Sequence, residues 1–253
     1  MGFYNDYLQH HGILGQKWGV RRFQRKDGTR IPTGVLLSNY GDYKLPQVYK
    51  SKNGERGIAD LDKALYNDRI DTISKQRVVT TIDKAFLDMS DSEKRETISL
   101  INSENGKYNC QFCTAAFDVL MKTGRAFSIR GDVDSGSFEG DSLPKRLYKN
   151  FPGFKPLQGS SCLDVASKLI KESGEGSFGR VNVSGHAMSY YIQNGKLRIV
   201  ESQNKRDFSP EEIDIRFKSA FNWASANFAR TDNLDFTDDG LEYLARFAQR
   251  NKS

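Results

Sequence analysis

Three groups able to combine in acyl-transfer chemistry stand far apart in this 253-residue chain. Cys110 follows Asn109 at what reads as a helix start. There the unbonded amides and the positive end of the helix dipole favour thiolate over thiol. His186 opens a strand-like run, and Glu201 and Gln203 close the next one. A thiolate nucleophile, an imidazole to carry protons and an acid or amide to orient that imidazole make a catalytic set. The chain has three histidines and three cysteines. His10 and His11 lie near the N-terminus, so His186 is the imidazole left for the folded body. Cys113 falls on the apolar stripe of its helix and reads as structural. Cys162 precedes another helix and is a rival nucleophile, with no His or acid placed beside it by local pairing.

The element that positions His186 is a hairpin whose register follows from its turn. Asn194-Gly195 favours a type I′ turn, and pairing across it sets Gln193 against Lys196, Ile192 against Leu197 and Tyr190 against Ile199. Alternation then places His186, Met188, Tyr190 and Ile192 on one face with Leu197, Ile199, Glu201 and Gln203. Glu201 becomes the diagonal neighbour of His186, roughly 7–8 Å away between Cα atoms, and Gln203 lies opposite it. The bland reading of the same residues is a polar rim where two strands fray.

The remaining elements are those of an α+β chain: helices first, then a small antiparallel sheet. Asn109 caps a helix from Cys110 to about Thr123, ended by Gly124, with Cys113, Phe117, Leu120 and Met121 as its buried stripe. Ser161 and Asp164 start a second helix that stops near Gly174. Strands are expected over 180–183, 186–193 and 196–203. Ser209-Pro210 starts another helix, and Leu241, Leu244, Ala245 and Ala248 mark the last. Upstream, residues 59–66 and 74–87 read as helical, and Ser90 with Glu93 forms a capping box. The expected organisation is a flexible basic segment over 1–35, a helical connector over 36–104 and the α+β domain over 105–253.

Composition narrows the classes. The chain is 37% hydrophobic and 28% charged, with a formal charge of +6. Residues 1–35 hold six basic and two acidic groups, so most of that charge belongs to the first segment rather than the body. Its glycines and interleaved Arg and aromatic residues suit a docking peptide ordered by a partner, with nucleic acid a possible but less favoured one. His10 and His11, adjacent and without further ligands, make a poor metal site. Asp6 stands where a myristoylation signal needs Ser or Thr. The three cysteines, odd in number and sparse, read as reduced thiols. No apolar segment is long enough to span a membrane, and no secretory signal opens the chain. No metal or organic cofactor is called for.

Two resemblances add to this reading. HHGILGQKWGVRRFQ resembles a short N-terminal segment carried by proteins of tailed phages and prophages of Gram-positive bacteria, which implies a virion partner such as the capsid. YNCQFCTAAFDVLMKTG together with GEGSFGRVNVSGHAMSYYIQNGKLRIVESQ resembles the papain-fold toxin family typed as glutamine deamidases, over about residues 106–206. That resemblance implies a papain-like fold with Cys110 as nucleophile, His186 as proton carrier, and Glu201 and Gln203 as orienting groups. It implies a host protein as substrate and a virion or host-cytoplasm location. Glu201 departs from the family pattern, which carries Asp there. The Cys110 amide is one expected oxyanion donor, with Asn109, Asn105 or Asn102 as weaker candidates. The alternatives are a cysteine peptidase or isopeptidase built on the same groups, and a non-catalytic capsid-associated cargo protein.

Overall fold

The hairpin forms in the register its turn dictates. In the computed structural model, which describes residues 58–134, 142–217 and 220–251, Asn194 and Gly195 both have positive φ. Gln193 pairs with Lys196, Ile192 with Leu197, and Tyr190 with Ile199. The expectations for residues 1–35 lie outside the described residues.

Tyr66–Ser253 forms one compact unit. Its elements follow in the order α1 (Ile58–Ser74, which begins just before it), β1 (Val79–Thr81), a 3₁₀ turn (Phe86–Asp88), α2 (Asp91–Ile101), α3 (Cys110–Thr123), β2 (Arg125–Phe127), α4 (Ser142–Leu147), β3 (Lys155–Pro156), α5 (Cys162–Ser173), β4 (Phe178–Val183), β5 (His186–Gln193), β6 (Lys196–Glu201), a 3₁₀ turn (Ser202–Asn204), β7 (Arg206–Phe208), α6 (Pro210–Arg216), a 3₁₀ turn (Trp223–Ser225), β8 (Asn227–Arg230) and α7 (Asp238–Arg246). Six strands make one sheet in the order β3-β8-β4-β5-β6-β7, antiparallel at every pairing. β1 and β2 pair separately. The class is α+β.

Alternation along the strands splits the core in two. Phe178, Tyr191 and Val200 face α3, whose Phe112, Phe117 and Leu120 are buried. Val181, Met188, Tyr190, Ile192 and Ile199 face the opposite way, onto Val165 and Leu169 of α5 and Ile213 of α6. The sheet is covered on both faces, so α3 sits in the interior and eleven of its fourteen residues are buried. Stripe reasoning anticipated one buried face. Burial on nearly all sides is what an apolar helix wedged between a sheet and other helices undergoes.

A buried polar group ties α3 to the sheet. Arg180 Nε donates to Asp118 Oδ2 at 2.8 Å, with both side chains fully buried. Tyr148 donates its hydroxyl to the same oxygen, and Thr231 Oγ1 donates to Oδ1 at 3.3 Å. An isolated carboxylate here would cost several kcal/mol; the cation and two hydroxyls compensate it.

Several local expectations change. The helix expected over 74–87 does not form beyond Ser74, where α1 ends: the run of β-branched Val78, Val79, Thr80, Thr81 and Ile82 forms β1 and its flanks, with a 3₁₀ turn behind it. α2 does open on the expected capping box, with Ser90 N donating to Glu93 Oε2 at 2.6 Å. Its Ile98 and Ile101 share a core with Phe112 and Phe117 of α3. The boundary expected near residue 104 therefore divides no core, and 66–104 belong to the same compact unit. The sheet is also wider than three strands, because the short β3, β7 and β8 carry too few residues to show alternation.

Candidate active site

α3 begins at Cys110, where Cys113 N donates to the Asn109 carbonyl at 3.0 Å. Asn109 occupies the cap position, but its side chain makes no capping bond, which corrects the expectation of an Asn109 cap. It is instead turned inward and fully buried. Its Nδ2 donates to Asn102 Oδ1 at 3.0 Å and to the Arg130 carbonyl at 3.1 Å. Asn102 also clasps Gly106 from both sides, accepting from its N–H at 2.9 Å and donating to its carbonyl at 3.1 Å. A Cβ on Gly106 would lie 2.3 Å from Asn109 Nδ2, so glycine is required for the loop to close this tightly. Asn105 turns that loop with φ of 58° and its side chain is exposed. These three asparagines build the platform that presents Cys110. The side-chain nitrogens of Asn102 and Asn109 are engaged in the loop, which argues against either as the second oxyanion donor.

His186 arrives from the other core. The type I′ turn at Ser184-Gly185, both with positive φ, sets Val183 opposite His186 and starts β5 on that residue. Its parity matches Met188 and Tyr190, which point toward α5, whereas Cys110 comes from the α3 side. The two meet at the end of the sheet. His186 lies in hydrogen-bond contact with Cys110, and both Cys110 and Glu201 favour its charged form. Its Nε2 is 3.4 Å from Glu201 Oε1. The ring stacks on Phe221, with centroids 5.8 Å apart and planes within 7°.

The electrostatics favour an imidazolium. Burial alone would lower the pKa of His186, but hydrogen bonds to Cys110 and Glu201, with the negative charge each can carry, raise it to about 9. The other thiols are of the opposite kind. Burial pushes Cys113 well above the ordinary thiol range, and the nearby Cys110 and Glu201 add to this. Burial likewise raises Cys162, helped by Asp214 and Glu211. Cys110 is the partly exposed one of the three. The expected rival, Cys162, is a buried thiol at the start of α5, where its backbone N–H donates to Asp214 Oδ1 at 2.7 Å.

Glu201 is buried, and its carboxylate is held from several sides. Oε1 accepts from Gln203 N at 3.0 Å, and Oε2 accepts from Asn204 Nδ2. Here the strand expectation fails in an informative way. β6 ends at Glu201 and the chain tightens into the 202–204 turn, so Gln203 does not continue the ladder opposite His186. Its Nε2 instead donates to the Lys107 carbonyl at 2.6 Å, stapling the acid's turn to the loop ahead of Cys110. Lys205 closes that turn with φ of 56°. Phe221 and Asn204 were not anticipated. Phe221 follows His186 by 35 residues through α6, and the side-chain role of Asn204 exists only once the strand breaks. Neither leaves a periodic signal in the sequence.

Among the described residues, no group of three or more His, Cys, Asp or Glu could hold a metal ion, and no helix is long and apolar enough to cross a membrane. The sequence matches no protein-family model and no curated protein.

Proposed function

We propose that the protein is a papain-like cysteine amidohydrolase, acting on a glutamine side chain of a host protein through Cys110, His186 and Glu201. The observation that carries this reading is the contact of Cys110 with His186, 76 positions apart, with Glu201 beside the same imidazole. A thiol and a histidine that only fill space do not need a buried, hydrogen-bonded carboxylate beside the imidazole.

In this mechanism Cys110 Sγ, as thiolate, attacks the carboxamide carbon, and the carbonyl oxygen takes up the negative charge beside the N-terminal amide of α3. His186, protonated at neutral pH, gives its proton to the nitrogen as the C–N bond breaks, and ammonia leaves. A water then loses a proton to the imidazole and attacks the thioester. Its collapse frees a carboxylic acid and restores the thiolate–imidazolium pair. Glu201 stabilises the cation and fixes the ring, Phe221 covers one face, and Gln203 holds the two loops together. The glutamine becomes glutamate, one water is consumed and one ammonia released.

The resemblance of residues 106–206 to the papain-fold toxins supports the glutamine assignment, and the phage-type opening segment supports a virion-borne protein acting in a bacterial host. The test is to incubate the purified chain with host lysate and follow ammonia and peptide masses. Deamidation adds about 1 Da at a glutamine and leaves chain lengths intact, whereas proteolysis shortens them. Cys110→Ala must abolish the change; activity surviving that substitution refutes the reading.

A further inference from the structure

Three arginines gather on a braid that packs against the loop presenting Cys110, and their charge is only partly met within the fold. Three chain segments form a small braid: Val78 N donates to the Gln249 carbonyl at 2.9 Å, Gln249 N to Ser128 at 2.8 Å, and Ser128 N to Val78 at 3.1 Å. Each contributes one arginine. Arg77 pairs with Arg250 across an antiparallel bridge, and Arg130 N donates to the Phe247 carbonyl at 2.9 Å. The three charges sense one another: burial first, then Arg250 and Arg130, lower the pKa of Arg77. Like charges so placed repel, and the compensation within the chain is incomplete. Asp132 lies 3.0 Å from Arg130 Nε but is 74% exposed, and the Nε–H does not donate a hydrogen bond to it. The other nearby carboxylate, Glu104, accepts from Gly131 N at 2.8 Å. Arg77 Nη1 reaches only the Ala248 carbonyl, at 3.3 Å, and Arg250 is exposed.

The cluster's backbone packs on the loop that presents the nucleophile: the Arg130 carbonyl receives the side chain of Asn109, the residue before Cys110, at 3.1 Å. We infer that Arg77, Arg130 and Arg250 form an anion-recognition subsite beside Cys110, which selects protein segments carrying Asp or Glu near the target amide. This rests on the amidohydrolase reading and adds a substrate class to it. Guanidinium groups match carboxylates in shape and keep their charge at all working pH values. A nucleic acid needs a longer basic track with stacking aromatics, whereas this patch is compact. Beyond residue 35 the chain is also near balance, with 32 basic and 30 acidic groups.

The test uses the full-length Cys110→Ala protein and three fluorescein-labelled probes: a glutamine peptide flanked by glutamates, the same peptide with neutral flanks, and a single-stranded oligonucleotide matching the acidic peptide in charge. Anisotropy at about 0.1 M salt should show the acidic peptide binding about tenfold tighter than the neutral one. In Arg130→Gln/Arg250→Gln the ratio should fall toward one. Arg250→Gln alone, at an exposed position, should lower the same ratio and serves if the double variant unfolds. Equal binding of the two peptides, a ratio that survives the arginine substitutions, or tighter binding of the oligonucleotide would each overturn the subsite. Binding does not require turnover, so the two readings fail separately. Acidic preference without deamidation in the wild-type chain sinks the amidohydrolase alone, and deamidation without acidic preference sinks the subsite alone.

Discussion

Replacing Glu201 with Gln removes one charge from the site while keeping the side chain's length. Glu201 Oε1 stands 3.4 Å from His186 Nε2. At an effective dielectric near 20, a full charge pair at that separation is worth about 5 kcal/mol before burial is counted. The rise of His186 to about 9 from an ordinary value near 6.5 corresponds to a net ~3 kcal/mol in favour of the imidazolium. Without the carboxylate, burial still opposes the cation and Cys110 alone supports it, so the pKa should drop to ~7 or below. At neutral pH half of the rings or more would then be unable to protonate the departing nitrogen, and with the imidazole also less firmly oriented kcat/KM should fall about 10- to 100-fold. The readout is an NMR titration of the histidine Cε1–H signals, with His186 assigned by its loss in His186→Ala. Glu201→Asp sharpens the test. Shortening by one C–C bond of ~1.5 Å withdraws the carboxylate from the imidazole and from Gln203 N, which it now bonds at 3.0 Å. Although the resembling family carries Asp at this position, Glu201→Asp should here behave more like Glu201→Gln than like wild type. A His186 that titrates near 9 in all three proteins, or near 6.5 in the wild type, would refute the reasoning.

The raised pKa of His186 also sets a pH limit. The charged form is favoured in the folded protein, so amide hydrolysis should persist through neutrality and decline as pH rises through about 9. A pH profile of ammonia release checks this, and an alkaline limb near 6.5 would contradict it. Gly106→Ala places a methyl against Asn109 and should cost about 1–3 kcal/mol in urea unfolding while slowing alkylation of Cys110. Asp118→Ala leaves Arg180 buried without its counter-charge and should cost about 3–5 kcal/mol; a loss under 1 kcal/mol would show that the pair is not buried as described. Phe221→Ala removes the ring stacked on His186 and should lower kcat by several-fold, about 0.5–1.5 kcal/mol, with thermal stability shifted less than by Asp118→Ala.

Local geometry was the legible part of this sequence. Asn194-Gly195 determines a turn type, the turn determines a register, and the register brings Glu201 within reach of His186. The capping box at Ser90 and the helix starts at Cys162 and Pro210 followed from short-range hydrogen bonding in the same way. What stayed hidden depends on contacts made elsewhere in the chain. Gln203 leaves the strand because Lys107, 96 residues earlier, offers a carbonyl and Glu201 accepts its N–H. Asn109 looked like a helix cap, yet Asn102 and Arg130 compete for its amide and win. Residues 74–87 have a mixed apolar spacing that fits a helix, but their β-branched run pairs with Arg125–Phe127 once that strand is present. The meeting of Cys110 with His186 joins two cores on opposite faces of the sheet, and no periodicity within either segment encodes it.

The central claim is that Cys110 and His186 form a thiolate–imidazolium pair. The rate of iodoacetamide alkylation at Cys110 against pH, followed by peptide mass spectrometry, tests it most directly. Cys113 and Cys162 are both fully buried and act as internal standards that stay unmodified while the protein is folded. The pair predicts rapid alkylation that stays nearly level far below the ordinary thiol pKa of about 8.5, and in His186→Ala a profile that rises only near that value. A wild-type profile that follows a free thiol and does not change in His186→Ala would contradict the account.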